Sequence, residues 1–350
     1  MVELESGQTW ALRGSFAGTT RREASYFPSD FVPLAEEAIR TFEQLDDPGG
    51  LAAAEYLLGE ALQRGGRTQE AFTMLERALE HATAAGDEVM RRDIVGQIAR
   101  RLCENATPVA EAIERLEQLR ATSHDLPMFD AGIRRCLADV LAMAGRFDES
   151  RRHIEETENA VDTAHQTTMS YSSHWLVAEA KELAGDLDGA ERELTTAFTS
   201  LRDARGEKAD SLAMRAAALL ALLYCDQDRW DEAAELLVYG KEVDGSPPAA
   251  GKVYTILRLA ALARVAAHNG RLEEGIDLAR RAVDFGERSD WPNYRATAWL
   301  ALAEVARAAR QTAVADDAVA NALRLYEAKG NVAAAARLKA RLVDLPLKRA

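Results

Sequence analysis

A short turn signal returns about every forty residues along this chain of 350. GGRTQEA stands at 65–71, AGRFDES at 144–150, AGDLDGA at 184–190, QDRWDEA at 227–233 and NGRLEEG at 269–275. Aligned on the small residue that closes each signal (Ala71, Ala112, Ser150, Ala190, Ala233, Gly275 and Ala315), the spacings are 41, 38, 40, 43, 42 and 40 residues. A near-constant period with helical patterning inside it is the signature of a helix–turn–helix array, because one such hairpin cannot bury its apolar face alone.

Twelve residues before each of those positions stand Gly59, Arg100, Ala138, Ala178, Ala221, Ala263 and Ala303, six of the seven again Gly or Ala. Minimal side chains on both sides of a turn let two antiparallel helices cross closely. The turn position between them is Gly66, Thr107, Gly145, Gly185, Asp228, Gly270 or Arg310. Glycine reaches the left-handed conformation that ends a helix at no steric cost. The second unit, CENATPVAEAIERL, has no glycine; there Asn105 is expected in the left-handed position, with Pro108 opening the next helix. AEYLLGEAL, MLERALEHA and LALAEVARA carry apolar residues at three- and four-residue spacing. The predicted fold is therefore all-α, a right-handed superhelix of about seven helix pairs. The pairs fall near 51–83, 88–121, 129–160, 170–203, 210–243, 252–286 and 293–327. FVPLAEEAIRTFEQLDD reads as a leading helix, and a C-terminal helix over 331–345 caps the last pair. One superhelical domain covers 29–345, preceded by a loose segment over 1–28. The stretch 160–174 reads as a long loop or an extended helix end.

Composition narrows the function. Hydrophobic residues make up 47%, enough for a large core. Forty-three basic against 57 acidic side chains leave a formal charge of −14, which repels phosphate backbones and anionic membranes. The basic tail RLKARLVDLPLKRA at 337–350 is read as the solvated face of a terminal helix. Three scattered cysteines, Cys103, Cys136 and Cys225, are no disulfide framework and fit a reducing compartment. The N-terminus lacks a signal-peptide pattern and no apolar run is long enough to span a bilayer, so a cytoplasmic location is expected.

The small residues on either side of each turn, the turn glycines and the alanines near the second helix centre (Ala78, Ala197, Ala282, Ala322) resemble the tetratricopeptide repeat. Trp299 stands at that repeat's aromatic position. AIRTFEQLDDPGGLAAAEYLLGEAL, LERALEHATAAGD, ATPVAEAIERLEQL and LRLYEAKGNVAAAARLKARL are similar to a more specific region, in bacterial multidomain regulators. There, repeats follow an adenylate/guanylate-cyclase-like or DNA-binding module and a signal-transduction ATPase. This resemblance, over about 34–345, implies a sensor or binding role in bacterial regulation, either free-standing or as part of something larger. No G-x-x-x-x-G-K-[ST] loop is present, and GSFAGTT at 14–20 has no lysine.

No catalytic residue, metal ligand or cofactor emerges. His81, His124, His153, His165, His174 and His268 make no i, i+4 pair, and neither CxxC nor HExxH occurs. Cys103 and Cys225 read as buried thiols. What remains is the concave face. In such an array the first helix of each pair lines the inside, and register points Tyr56, Gln97, Arg101, Arg135, Asp139, Trp175, Glu179, Arg215 and Arg264 inward. Glu60, Gln63, Glu304 and Arg307 share that face. Arginine forks with Tyr56 and Trp175 as flat anchors suit a peptide, a protein segment or a small anionic signal molecule. MSYSSHW at 169–175 is expected to form part of a pocket. The same polar residues would equally solvate a groove and pair among themselves at little net gain. The expected partner is a protein or peptide, or else a small molecule, without nucleic acid or membrane; a homodimer is compatible. An enzyme sited in the groove and a passive assembly scaffold stand as alternatives.

Overall fold

The computed structural model describes residues 28–122, 127–162, 171–204, 207–243 and 251–344. Among them every regular element is an α-helix. In chain order these are α1 (Pro28–Gln44), α2 (Pro48–Arg64), α3 (Thr68–Ala84), α4 (Glu88–Glu104), α5 (Val109–Ala121) and α6 (Pro127–Met143). There follow α7 (Phe147–Asp162), α8 (Tyr171–Leu183), α9 (Leu187–Ala204), α10 (Glu207–Asp226) and α11 (Trp230–Val243). The chain ends with α12 (Gly251–His268), α13 (Leu272–Glu287), α14 (Pro292–Ala308), α15 (Thr312–Lys329) and α16 (Val332–Asp344). The loose segment expected at 1–28, GSFAGTT and most of the stretch 160–174 lie outside the described residues. The contacts fall into two compact units, residues 1–101 and 102–350, where patterning alone points to one domain over 29–345. The boundary falls inside α4, where the helix and the repeat period both continue, so the sequence carries no mark of it.

The small residues are where two helices touch. In the first unit, a Cβ added at Gly59 of α2 would meet the Ala71 carbonyl oxygen and Leu75 Cγ, each at 3.2 Å. In the second, Ser150 of α7 donates from Oγ to the Ala138 carbonyl of α6 at 2.7 Å, so the helices cross at hydrogen-bond distance. A Cβ on Gly275 would stand 3.0 Å from the Ala263 carbonyl. Ala178, Ala190, Ala221, Ala233, Ala303 and Ala315 are all buried. Around these crossings run apolar layers, such as Ile39 and Phe42 of α1 on Leu51, Leu58 and Leu62 of α2. The largest core joins Leu257, Trp291, Leu302 and Tyr326, from α12 to α15, with Ala335 and Leu338 of α16.

Left-handed residues close the turns: Gly66, Gly145, Gly185 and Gly270 have φ of 76 to 85°, and Asp228 and Arg310 take φ of 59 and 60°. Asn105 differs from expectation and is not left-handed. Its buried side-chain oxygen instead accepts from the Thr107 amide at 3.0 Å, an Asx turn that reverses the chain without positive φ. Pro108, extended at φ −56° and ψ 142°, then leads into α5. In four turns the following arginine pairs with the glutamate three residues on: Arg67–Glu70, Arg146–Glu149, Arg229–Glu232 and Arg271–Glu274. These exposed pairs pin the first helical turn while contributing little net stability.

Arg310 holds a conformation that costs an L-residue energy and glycine none. Arg310→Gly is expected to raise stability by ~0.5–1 kcal/mol, read as a higher urea midpoint at unchanged m-value.

Candidate functional site

Residues 102–350 close on themselves. The ammonium of Lys329, at the end of α15, donates to the carbonyls of Leu102 (2.8 Å) and Thr107 (2.7 Å), more than 200 residues earlier. Gly330 lies against Val109, and Asn293 Nδ2 of α14 reaches Met143 Sδ of α6 at 3.6 Å. Helix α16 continues across the interior, with Arg337 on Glu182 at 3.2 Å and Arg341 on Asp226 at 3.4 Å. The basic face of this helix is thus turned to carboxylates rather than simply to solvent. A cavity of about 180 Å³ is left between these elements. Its walls mix leucines of α9, α10 and α12 (Leu194, Leu219, Leu222, Leu257) with ionisable groups of α6, α8, α10, α12, α14, α15 and α16.

The ionisable groups form two layers. In the outer layer Arg264 bridges Asp226 (2.7 Å) and Glu304 (2.6 Å), beside the pairs made by Arg337 and Arg341. Burial pushes the Glu182 and Glu304 carboxyls up, whereas Arg264 and Arg341 overcome burial at Asp226 and hold it low. In the inner layer Arg215 of α10 donates to Glu104 at 2.8 Å and to the Tyr294 hydroxyl, with its guanidinium 4.3 Å from the Trp175 ring centroid. Burial works against the Arg215 charge, but Tyr294, Glu104 and Glu179 more than offset it and keep the guanidinium firmly protonated.

Two carboxyls of the inner layer stand apart. Asp139 of α6 is fully buried, and neither of its oxygens has a hydrogen-bond partner. The nearby thiol of Cys103 gives its hydrogen to the Cys136 carbonyl, at 3.6 Å. Burial, with Glu179 close by, holds the Asp139 carboxyl well above the usual range. Glu179 of α8 rises to about 7, first by burial, against the pull of Arg215 and a hydrogen bond from Tyr294. Burial lowers Lys329 to about 8.

The residues expected on the concave face separate into two groups. In the first unit Tyr56 is half-buried beside Gln97 and Glu60, with its phenol raised to about 12 chiefly by burial. Arg101 is buried and donates to Glu60 at 2.6 Å. In the second unit Asp139, Glu179 and Arg264 line the cavity, and Arg215 stands behind Glu179. Arg135 is buried on α6. Trp175 corrects its expectation: its side chain is fully buried beneath Arg215, so it supports the inner layer and offers no flat anchor to a ligand. Of MSYSSHW, His174 turns away to Glu193 at 2.6 Å, and the positions before it have no described side chains. Arg101, Arg215 and Arg264 are each committed to a carboxylate, so these forks are not open to an anion. Glu104, Tyr294, Asn293, Lys329 and Arg337 were not foreseen. The one local signal was the i, i+4 spacing of Arg337 and Arg341, which puts both on one helix face.

No family model matches the chain, and no curated protein matches it. Solved structures do. A Rap protein complexed with competence and sporulation factor superposes with a TM-score of 0.56 at 16% identity, over 84% of this chain and 76% of that one. NprR in complex with its cognate peptide NprX gives 0.50 at 12% identity, over 91% and 89%. A signal-transduction ATPase with numerous domains and a tetratricopeptide repeat sensor, from Pyrococcus horikoshii, gives 0.50 at 11%, over 90% of this chain and 54% of that one. The likeness establishes the fold: the chain is an all-helical, tetratricopeptide-like repeat protein. No helix among the described residues is long and apolar enough to cross a membrane.

Glu179 also makes stability depend on pH. A carboxyl whose native value, about 7, lies above its unfolded value of 4.5 stabilises the fold fully only below the latter, and that contribution is lost as pH rises through 7. Glu179→Gln removes the term. Its stability relative to the parent is expected to improve from pH 5 to pH 8, measured as the difference in urea midpoints at each pH.

Proposed function

We propose that the chain is a non-enzymatic binding module of bacterial regulation that receives a peptide or protein segment in the cavity of residues 102–350. The observation that carries this reading is the mixed lining of that cavity, leucine walls beside half-buried and buried ionisable groups. Ligand sites have this composition, with apolar area for affinity and a few placed polar groups for orientation. A purely structural interior would not keep an unpartnered carboxyl such as Asp139, because burying one without compensation costs stability. Two of the similar folds, the Rap protein and NprR, were solved with a bound factor or peptide, which supports a peptide as the class of occupant.

The anionic ligand suggested by the arginines fits this cavity less well, because its lining carries Asp139, Glu179, Glu182, Asp226 and Glu304 against Arg264 and Arg341. An acid–base enzyme would also want raised carboxyls, but burial is the leading cause at both Asp139 and Glu179 and accounts for them without a reaction. Signal transfer would follow from preference for one arrangement of stacked pairs, since a ligand shifts such an equilibrium by its differential affinity.

The test uses a randomised hexapeptide library panned on the full chain and on Thr297→Trp, which fills the cavity from α14. The parent is expected to enrich a defined subset, with binding confirmed by fluorescence anisotropy, and the filled variant to lose it while keeping its helical spectrum. Equal binding of the enriched peptides to both proteins would remove the cavity from the function.

A further inference from the structure

The lining of the cavity also says what part of a ligand belongs at its deep end. Asp139 and Glu179 both line it from two neighbouring first helices, α6 and α8, close enough for Glu179 to raise the proton affinity of Asp139. Asp139 has no hydrogen-bond donor at either oxygen, and Glu179 has the Tyr294 hydroxyl. The cations that act on the two are engaged elsewhere. Lys329 directs two N–H groups to the carbonyls of Leu102 and Thr107, and Arg215 is held by Glu104 and the Tyr294 oxygen. Asp139 therefore faces the cavity with neither oxygen met by a donor, beside a half-buried Glu179 that has one. Beside them stand Met143, Leu219, Leu222 and Leu257.

We propose that Asp139 and Glu179 form a seat for one protonated amine, an alkylammonium presented on an apolar chain, at the inner end of the cavity. This rests on the peptide-binding reading and deepens it by naming the group that docks first. An ammonium supplies donors to the two Asp139 oxygens, which lack them, and a further one to Glu179, and its charge lets both carboxyls ionise in place. Its apolar stem lies against the leucines. The apolar residues beside the two carboxyls match the stem of an organic cation. The amine can come from a free peptide N-terminus or from a lysine side chain; both present the same group.

Binding is linked to protons. With the amine already charged, docking expels the protons that Asp139 and Glu179 each hold below neutral pH. The groups facing this pair are Cys136 and Glu182 on the same helices, Cys103 and Glu104 of α4, Arg215 of α10, Tyr294 of α14 and Lys329 of α15. Lys329 is lowered to about 8, and measuring at pH 6 keeps it charged throughout.

The experiment is isothermal titration of the full chain with n-hexylamine and with 1-hexanol, its neutral counterpart, at pH 6 in two buffers of different ionisation enthalpy. Hexylammonium is expected to bind with release of about two protons, and hexanol at least about tenfold more weakly with none. Asp139→Asn and Glu179→Gln, each checked by circular dichroism, are expected to weaken the amine by about tenfold or more and to cut proton release to about one, leaving hexanol unchanged. Glu179→Gln carries the test alone should the buried Asp139 variant fail to fold. To separate the sources, Leu-Leu-Leu amide, its N-acetylated form and N-acetyl-lysine methylamide are titrated in parallel. A free N-terminus as source predicts binding of the first only, and a lysine side chain predicts binding of the third. Equal affinity for amine and alcohol, or an amine affinity untouched by both variants, overturns the seat and leaves a buried neutral acid pair. If library peptides still lose binding in Thr297→Trp in that event, the cation seat falls and the peptide cavity stands.

Discussion

The close approach of paired backbones at their smallest residues is the constraint on which the rest of the structure depends. Where Ser150 hydrogen-bonds across to the Ala138 carbonyl, or where Gly275 leaves room for the Ala263 carbonyl, no larger side chain fits without moving a helix. Interiors packed this tightly tolerate extra volume poorly, at ~1–3 kcal/mol for an overpacked site. The apolar area each alanine buries is small, so no hairpin is stable alone and each relies on its neighbours. Close pairing also fixes the direction of the remaining faces. The stripe of a first helix opposite its partner has one direction left, toward the interior, and its polar residues go with it.

In residues 102–350 that interior is closed, because the last helices return to the first. Lys329 makes the closure with two strong donations to carbonyls left over at the end of α4 and the turn after it. Such carbonyls at a helix end lack partners within the helix, and a cation there also complements the helix dipole. Closure removes water from the inner faces of α6, α8, α10 and α14 and leaves their ionisable groups to one another. Most find partners, as Arg215 does in Glu104 and Tyr294. Asp139 does not, and its raised proton affinity together with that of Glu179 is the electrostatic record of this enclosure.

What the sequence makes legible follows the range of the interaction. The turn glycines, the paired small residues and the helical stripes act over about a dozen positions, and they stand in the text of the chain as a period. Register along the first helices also brings Asp139, Glu179 and Arg264 to one cavity, because side-chain direction on a helix is local. The same reasoning fails at Trp175, where one step of register separates the lumen from the layer beneath it and a large ring fills the buried side. It fails at Asn105 as well, since a side-chain turn and a left-handed turn draw on the same residue types. Glu104, Tyr294, Lys329 and Arg337 were beyond reach for a different reason. They meet the site only because the chain closes, and a contact between residues 329 and 102 has no sequence pattern.

Burial of ionisable groups, finally, separates what holds this fold from what it is for. Replacing buried ion pairs by apolar residues is often neutral or stabilising, so the inner layer around Arg215 is weak as a device for stability. Alanine, leucine and the turn residues already account for the helix pairs and their stacking. An interior that nonetheless keeps Asp139 without a partner, on a helix whose other buried positions are apolar but for Arg135, carries a cost the architecture does not require. Held neutral, that carboxyl defers most of the cost until a cation arrives. The free energy of ionising it in place then belongs to recognition, so occupancy becomes coupled to charge on helices α6 and α8 that pack on one another and on their own partners. The proposed seat, on adjoining repeats, would stand where a change in their packing angle is felt first, the property that the proposed binding role needs if binding at one point is to alter the surface presented elsewhere.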